Sequence, residues 1–267
     1  MKQARRVRHV QVHSWQDLSP NLRRIVFHSA ELADYPFQCN GAHIKLLFPL
    51  EGQEKPQLPE FTEKGAVWAD RENRPIGRTY TLRAYDAVAN TISVDFVMHG
   101  DDGVASLFAQ NVQAGQTIGV SAPAGPSPML KPAPAYLFAG DLTALPAIHS
   151  MIEDMPADAS GQVFLWLPEQ ADLPVDLSLP KNVQLSTFFG DMEQIHRLVQ
   201  AVAVRPTPSA EDFLWFAGEA SMVASLRQLA LVTWNMPKKQ CYLVPYWHHG
   251  ETEEAYHAKR HEFMDQK

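Results

Sequence analysis

Gly77-Arg78-Thr79-Tyr80-Thr81-Leu82-Arg83 is the stretch on which the fold turns. Extended as a strand, it sets Arg78, Tyr80 and Leu82 on one face and Thr79, Thr81 and Arg83 on the other. Two guanidiniums beside a tyrosine and two hydroxyls can grip a pyrophosphate through arginine's paired donors, while the phenol lies against a flat heterocycle. The same letters also fit an ordinary edge strand with solvated arginines, because Tyr and Thr favour strands.

Working outward, the text on the N-terminal side breaks as short strands do. Val7, Val10 and Val12, then Leu22, Ile25 and Phe27, stand on either side of the turn signal Leu18-Ser19-Pro20-Asn21. Gly41 to Pro49 reads as another strand, and residues 51–77 as a long surface loop rich in Gly, Pro and charge. On the C-terminal side, a strand over 91–98 leads into His99-Gly100-Asp101-Asp102-Gly103-Val104-Ala105-Ser106. Glycines ahead of a short helix let backbone N–H groups approach an anion, and equally describe a plain turn with Ser106 as a cap. Thr117 to Ser121 closes the set. Six or so short strands at turn spacing predict a small antiparallel β-barrel over residues 1–131.

After Lys131-Pro132-Ala133-Pro134 the texture changes. Apolar strands at 136–139, 163–167, 183–189, 213–217 and 241–244 alternate with helical patterns at 146–155, 191–202 and 220–234. This order predicts an α/β domain with a parallel sheet over residues 132–267, ending in a charged helix over 251–263. No Gly-x-Gly-x-x-Gly follows its first strand.

Composition narrows the classes. At 267 residues the chain fits one large domain or two ordinary ones, and 45% hydrophobic residues mark a globular protein. A net charge of -7 argues against nucleic acid. The basic start, Lys2, Arg5, Arg6 and Arg8, has no apolar segment after it, and no run approaches a membrane span, so no membrane role is expected, and the two cysteines, Cys39 and Cys241, fit a reducing cytoplasm. With only Cys39 and Cys241, a disulfide framework and a cysteine-held iron–sulfur cluster are both excluded. His248, His249, His257 and His261 include an i,i+4 pair, but Ala258-Lys259-Arg260 between them lacks the zinc-protease Glu, and solvated histidines are expected.

Arg78-x-Tyr80-Thr81-x-Arg83 resembles the flavin motif of the siderophore-interacting proteins, a branch of the ferredoxin-reductase-like flavoproteins. Further similar blocks follow in the same order: Asp95 to Gly100, Gly103 to Ser106, Gly140 to Ile148, Trp215 to Ser221 and Tyr246 to Gly250. The resemblance spans most of the chain and implies a flavin-binding barrel followed by a nucleotide-binding-type α/β domain. It implies FAD as cofactor: Arg78 and Arg83 on its phosphates with Thr79 beside them, Tyr80 stacked on the isoalloxazine, and Thr81 near its reactive edge. Tyr80 and Thr81 are thereby the expected catalytic pair. Asp95, Val97 and His99 are implied to line the ribityl and adenine portions, with Gly103, Ala105 and Ser106 offering backbone to the pyrophosphate.

Asp141 and Thr143, at the end of the first parallel strand, stand where open α/β sheets place their ligands and are implied on the cofactor side, and Gly218 and Glu219, at the end of a later one, are implied for the nicotinamide. Asp141 equally suits a cap on the following helix. The donor implied is NAD(P)H or a ferredoxin, and the acceptor a ferric siderophore reduced to release Fe(II). Siderophores are often anionic, so Lys45, Lys131 and His248 are the substrate-side candidates. Many members of the family carry Arg after the Tyr-Trp pair, where this chain has His248, a weaker cation at pH 7. A general flavin-dependent reductase with another acceptor, and a siderophore- or flavin-binding protein without turnover, are the competing expectations.

Overall fold

A computed structural model describes residues 6–63, 65–98, 103–251 and 256. The chain divides into two compact units, one ending at Met129 and one beginning at Leu130.

The first unit is antiparallel. Its strands are β1 (Arg8–Ser19), β2 (Leu22–His28), β3 (His43–Phe48), β4 (Glu60–Thr62), β5 (Gly65–Val67), β6 (Ile76–Thr81), β7 (Ala84–Asp86), β8 (Thr91–Val97) and β9 (Thr117–Val120), and among the described residues the α-helix is α1 (Val104–Gln110). Seven of them form one sheet in the order β6-β3-β9-β1-β2-β8-β7. The edge strands β6 and β7 are consecutive in sequence, joined only by Leu82 and Arg83. Laid flat, seven strands separate their edges by about 29 Å. Three Cα–Cα steps cover at most about 10 Å, so the sheet must curl until its edges meet. The Arg83 amide donates to Ser93 O of β8 at 2.9 Å, and the Tyr80 ring meets Phe96 of β8 at 4.5 Å between centroids. The arginine–tyrosine stretch is therefore the seam where the two edges of the curled sheet approach, with no β6–β7 ladder among the described residues.

Alternation supplies the core. Ile44, Leu46, Leu82, Val94, Phe96 and Val120 point inward and are fully buried. One end of this core holds a charge. Arg8, wholly buried, donates to the carbonyls of Arg6, Glu31 and Asp34 and to Asp34 Oδ1, with its guanidinium 5.4 Å from the Tyr35 ring centre. The long stretch 51–77, expected as loop, departs from that reading: β4 and β5 form a two-stranded ribbon within it, and β6 already begins at Ile76. Asp70 orders the return by accepting from Asn73 Nδ2 and then from the Glu72 amide, which together hold its carboxyl below the usual range.

The second unit is a parallel sheet of β10 (Ala135–Asp141), β11 (Ser160–Leu167), β12 (Asn182–Phe189), β13 (Phe213–Glu219) and β14 (Cys241–Trp247), ordered β12-β11-β10-β13-β14. The helices are α2 (Leu145–Glu153), α3 (His196–Ala203) and α4 (Ala220–Gln228), and α4 widens into a π turn over Leu229–Thr233. β10 and β13 are neighbours with the chain leaving to opposite sides, so the point where strand order reverses lies between them. Every residue of β13 is buried, as its continuous apolar text Phe213-Leu214-Trp215-Phe216-Ala217 requires of a strand covered on both faces. On α3, Leu198 and Val202 are fully buried, with Ile195 just ahead of the helix nearly so. The expected helix over 251–263 falls outside the described residues, apart from Glu251 and Tyr256.

Candidate functional site

On the barrel seam, β6 pairs with β3 so that Arg78 faces Leu46, Thr79 faces Lys45, Tyr80 faces Ile44 and Thr81 faces His43. Arg78 and Tyr80 thus lie on the core side of the strand, both half-buried, while Lys45 and Thr79 lie together on the outer side. Thr81 and Arg83 are buried at the seam. Tyr80 leans on Phe96, and Phe96 meets Phe108 of α1 at 6.2 Å, which ties the strand to the short helix. Gly103, whose φ of 103° disfavours a side chain, precedes that helix, and among the described residues no side chain caps its first turn. Ala105 and Ser106 are buried within it.

Asp95 is held in a way the sequence did not disclose: Arg24 donates from Nε to Oδ1 at 2.6 Å and from Nη2 to Oδ2 at 2.8 Å. The pair follows from cross-strand register, Arg24 of β2 facing Asp95 of β8. Val97 is half-buried at the end of β8, and His99 lies outside the described residues. Two guanidiniums, two threonine hydroxyls, a phenol and a glycine-led helix start form the donor set a flavin dinucleotide needs. The residues present fit FAD.

In the second unit, the ends of β10, β13 and β14 converge. Asp141 Oδ1 accepts from the Thr143 amide at 2.8 Å and from Thr143 Oγ1 at 2.6 Å. Its Oδ2 accepts from the Glu219 amide at 2.7 Å and from Trp247 Nε1 at 2.9 Å. Burial pushes the Asp141 carboxyl up, and these four donors oppose that rise. Asp141 does not cap the following helix, because Ala144 is the cap residue of α2 and supplies no side-chain bond. Glu219 is the helix cap here: its Oε2 accepts from the Ser221 and Met222 amides and from Ser221 Oγ at the start of α4, and its Oε1 from the His249 amide at 3.3 Å.

Gly218 lies against this carboxylate. Its φ is 124°, and a Cβ built there stands 2.5 Å from Asp141 Oδ2. Gly218→Ala is therefore expected to cost about 3 kcal/mol from strain and overlap, read as a lower urea midpoint for the second unit. A variant as stable as the wild type contradicts this packing.

His248 follows β14, half-buried, with Nδ1 2.9 Å from His249 O. Lys131 lies elsewhere. Its Nζ donates to Lys239 O at 2.8 Å and sits 5.7 Å from the Phe213 ring, at the end of the sheet where β13 and β14 begin. The structure thus brings Asp141, Thr143, Gly218 and Glu219 together and leaves Lys131 at the opposite sheet end from His248. Trp247 and Ser221, both inside quoted motifs, are the partners that sequence reading passed over; an indole at a strand end beside acids was the available signal.

Two family models account for most of the chain. One, described as the siderophore-interacting FAD-binding domain, matches residues 11–127, and one described as siderophore-interacting protein matches residues 133–250. The chain belongs to the siderophore-interacting protein family. Ferric vibriobactin reductase ViuB of Vibrio cholerae is 34% identical over 253 residues, covering 94% of this chain and 92% of that protein. The crystal structure of the siderophore-interacting protein SipS from Aeromonas hydrophila superposes with a TM-score of 0.88 at 44% identity, over 98% of this chain and all of that one. A ferredoxin reductase of carbazole 1,9a-dioxygenase, at 13% identity and a TM-score of 0.64 over 91% of this chain and 68% of that one, shares the fold alone. The architecture is thus ferredoxin-reductase-like, as expected, and this member of the siderophore-interacting family is an FAD-dependent oxidoreductase. Among the described residues, no helix is long and apolar enough to cross a membrane.

Proposed function

We propose that this chain is a cytoplasmic ferric-siderophore reductase, which draws electrons from NAD(P)H or a ferredoxin and releases iron as Fe(II). The observation that carries the reading is the seam strand, where Arg78, Thr79, Tyr80 and Thr81 meet in a domain matching the family's FAD-binding model. The kinship to ViuB, named a ferric vibriobactin reductase, supports the acceptor. Bound FAD supplies the exchange between a two-electron donor and a one-electron acceptor. The chain's own residues bind and orient. Arg78 and Arg83 hold the phosphates with Thr79, Tyr80 lies against the ring system, Thr81 approaches its reactive edge, and Asp95, Val97 and His99 line the remainder. Gly103, Ala105 and Ser106 offer backbone to the diphosphate.

Lys45 and His248 serve the anionic acceptor. Lys131 is set aside, because its ammonium is engaged with Lys239 O and Phe213. One hydride from NAD(P)H carries two electrons, enough for two ferric ions, whereas a one-electron ferredoxin matches one. Steady-state assays of FAD-loaded protein with NADH, NADPH or reduced ferredoxin, a ferric siderophore and an Fe(II) chelator test this. The expected result is two Fe(II) per NAD(P)H, or one per ferredoxin; donor oxidation without Fe(II) overturns the acceptor.

His248→Arg supplies a permanent charge and is expected to tighten anionic ferric chelates by up to about fivefold, the size of a partly exposed ion pair. Titration calorimetry reads it. Affinity unchanged for every chelate tried removes His248 from the acceptor side.

A further inference from the structure

We infer that Asp141 and Glu219 are positioning residues that fix the Trp247–His249 segment, and with it His248, rather than receiving the nicotinamide nucleotide. The inference rests on the reading of His248 as an acceptor-side residue.

Acceptor capacity is the first argument. A carboxylate has about four lone-pair sites, two per oxygen. Asp141 fills all four, with Thr143 N and Oγ1 on one oxygen and Glu219 N and Trp247 Nε1 on the other. Glu219 Oε2 takes three donors from the start of α4, and Oε1 takes the His249 amide. Asp141 keeps no open site for a ribose hydroxyl or a carboxamide, and Glu219 keeps one at most, on the oxygen that already takes the His249 amide. Glu219 also occupies the α4 amides that would otherwise face a phosphate, and two acids at one strand-end site oppose a pyrophosphate.

Reach is the second argument. β13 lies between β10 and β14, so Asp141 must pass over β13 to meet Trp247. It does so across Gly218, the residue with no side chain to obstruct it. In the β13–β14 ladder Gly218 faces Pro245 and Glu219 faces Trp247, an irregularity that leaves Tyr246 as the extra residue. Such a bulge re-aims the residues after it, here turning the Trp247 indole onto Asp141. His248 is thus flanked by two anchored neighbours, Trp247 through its indole and His249 through its amide. The turn closes where the Glu251 amide donates to His248 O at 3.1 Å.

The test uses FAD-loaded protein, with a ferric tris-catecholate as the acceptor probe. Asp141→Asn presents an NH2 group to two existing donors, and Glu219→Gln does the same to a helix start. Each is expected to weaken chelate binding about fivefold while KM for NADH and NADPH stays within about twofold. Asp141→Asn combined with His248→Ala is expected to bind no more weakly than His248→Ala alone, since residues acting through one another are not additive. Trp247→Phe, which removes one donor, covers the case in which Asp141→Asn does not fold. The Trp247 indole N–H, followed by NMR hydrogen exchange, is expected to be protected in the wild type and to lose about tenfold protection in Asp141→Asn.

A rise in nucleotide KM with unchanged chelate affinity returns the two acids to the nucleotide and overturns the inference. So does additivity in the double variant, or full indole protection in Asp141→Asn. A wild-type protein that binds no ferric chelate overturns the parent reading and the acceptor role of the segment, while the indole exchange still decides whether the clamp exists.

Discussion

Arg78→Ala is expected to yield a folded protein that no longer retains FAD through gel filtration. Arg78 sits half-buried on an edge strand whose backbone pairs with β3, so truncating its side chain leaves the ladder intact. What is lost is a guanidinium whose paired donors suit a diphosphate. Hydrogen bonds to a charged group contribute about 1.5–3 kcal/mol, so FAD affinity falls by roughly 10- to 150-fold. The flavin-to-protein absorbance ratio reads the loss, and an unchanged circular-dichroism melt of the apoprotein separates it from unfolding. A variant that retains stoichiometric flavin removes Arg78 from the phosphate site.

Arg8→Met is expected to destabilise the barrel by about 3 kcal/mol, by stripping partners from a buried polar cluster. Arg8 is wholly buried, and its removal leaves the carbonyls of Arg6, Glu31 and Asp34 facing an apolar side chain. Asp34 is half-exposed and can turn to water, which keeps the cost at the lower end for a broken buried pair. Methionine preserves much of the stem, so the loss reports the guanidinium rather than a cavity. Urea unfolding monitored by hydrogen exchange is expected to show the first unit opening earlier and the second unchanged.

The acid limb carries the same signature. Arg6, and after it Arg8, hold the Asp34 carboxyl below its usual 3.8. Because the folded value is depressed, this stabilisation is complete above 3.8 and is lost as pH falls through the lower folded value. Arg8→Met is expected to shrink that acid-side loss. Wild-type stability in the variant contradicts the account of Arg8.

Much of the fold was legible because it is written in alternation. Val10, Val12, Ile25 and Phe27 mark one wall, and the apolar text of β13 announces a strand covered on both faces. β4, β5 and β7 were missed because three-residue strands carry too little period to register. Arg8 gave no signal at all, since nothing local tells a plugged, buried arginine from one of a basic tail; its partners other than the Arg6 carbonyl lie more than twenty positions away.

The candidate site divides the same way. The seam residues were visible as a motif, while their position where the sheet edges approach depends on β6 and β7 being edge strands, a property of the whole sheet. Asp141 and Glu219 were visible as strand-end acids. Their engagement by Thr143, Trp247, Ser221, Met222 and His249 was not, because it needs the order of three strands and the bulge at Tyr246.

The central claim is that electrons held by this flavoprotein go to ferric siderophores. Anaerobic stopped-flow of photoreduced, FAD-loaded protein mixed with a ferric siderophore and an Fe(II) trap tests it with the donor left out. The account predicts recovery of the oxidised flavin spectrum in step with two trapped Fe(II) per flavin. A reduced spectrum that persists in the presence of every ferric chelate, with no Fe(II) trapped, would contradict it.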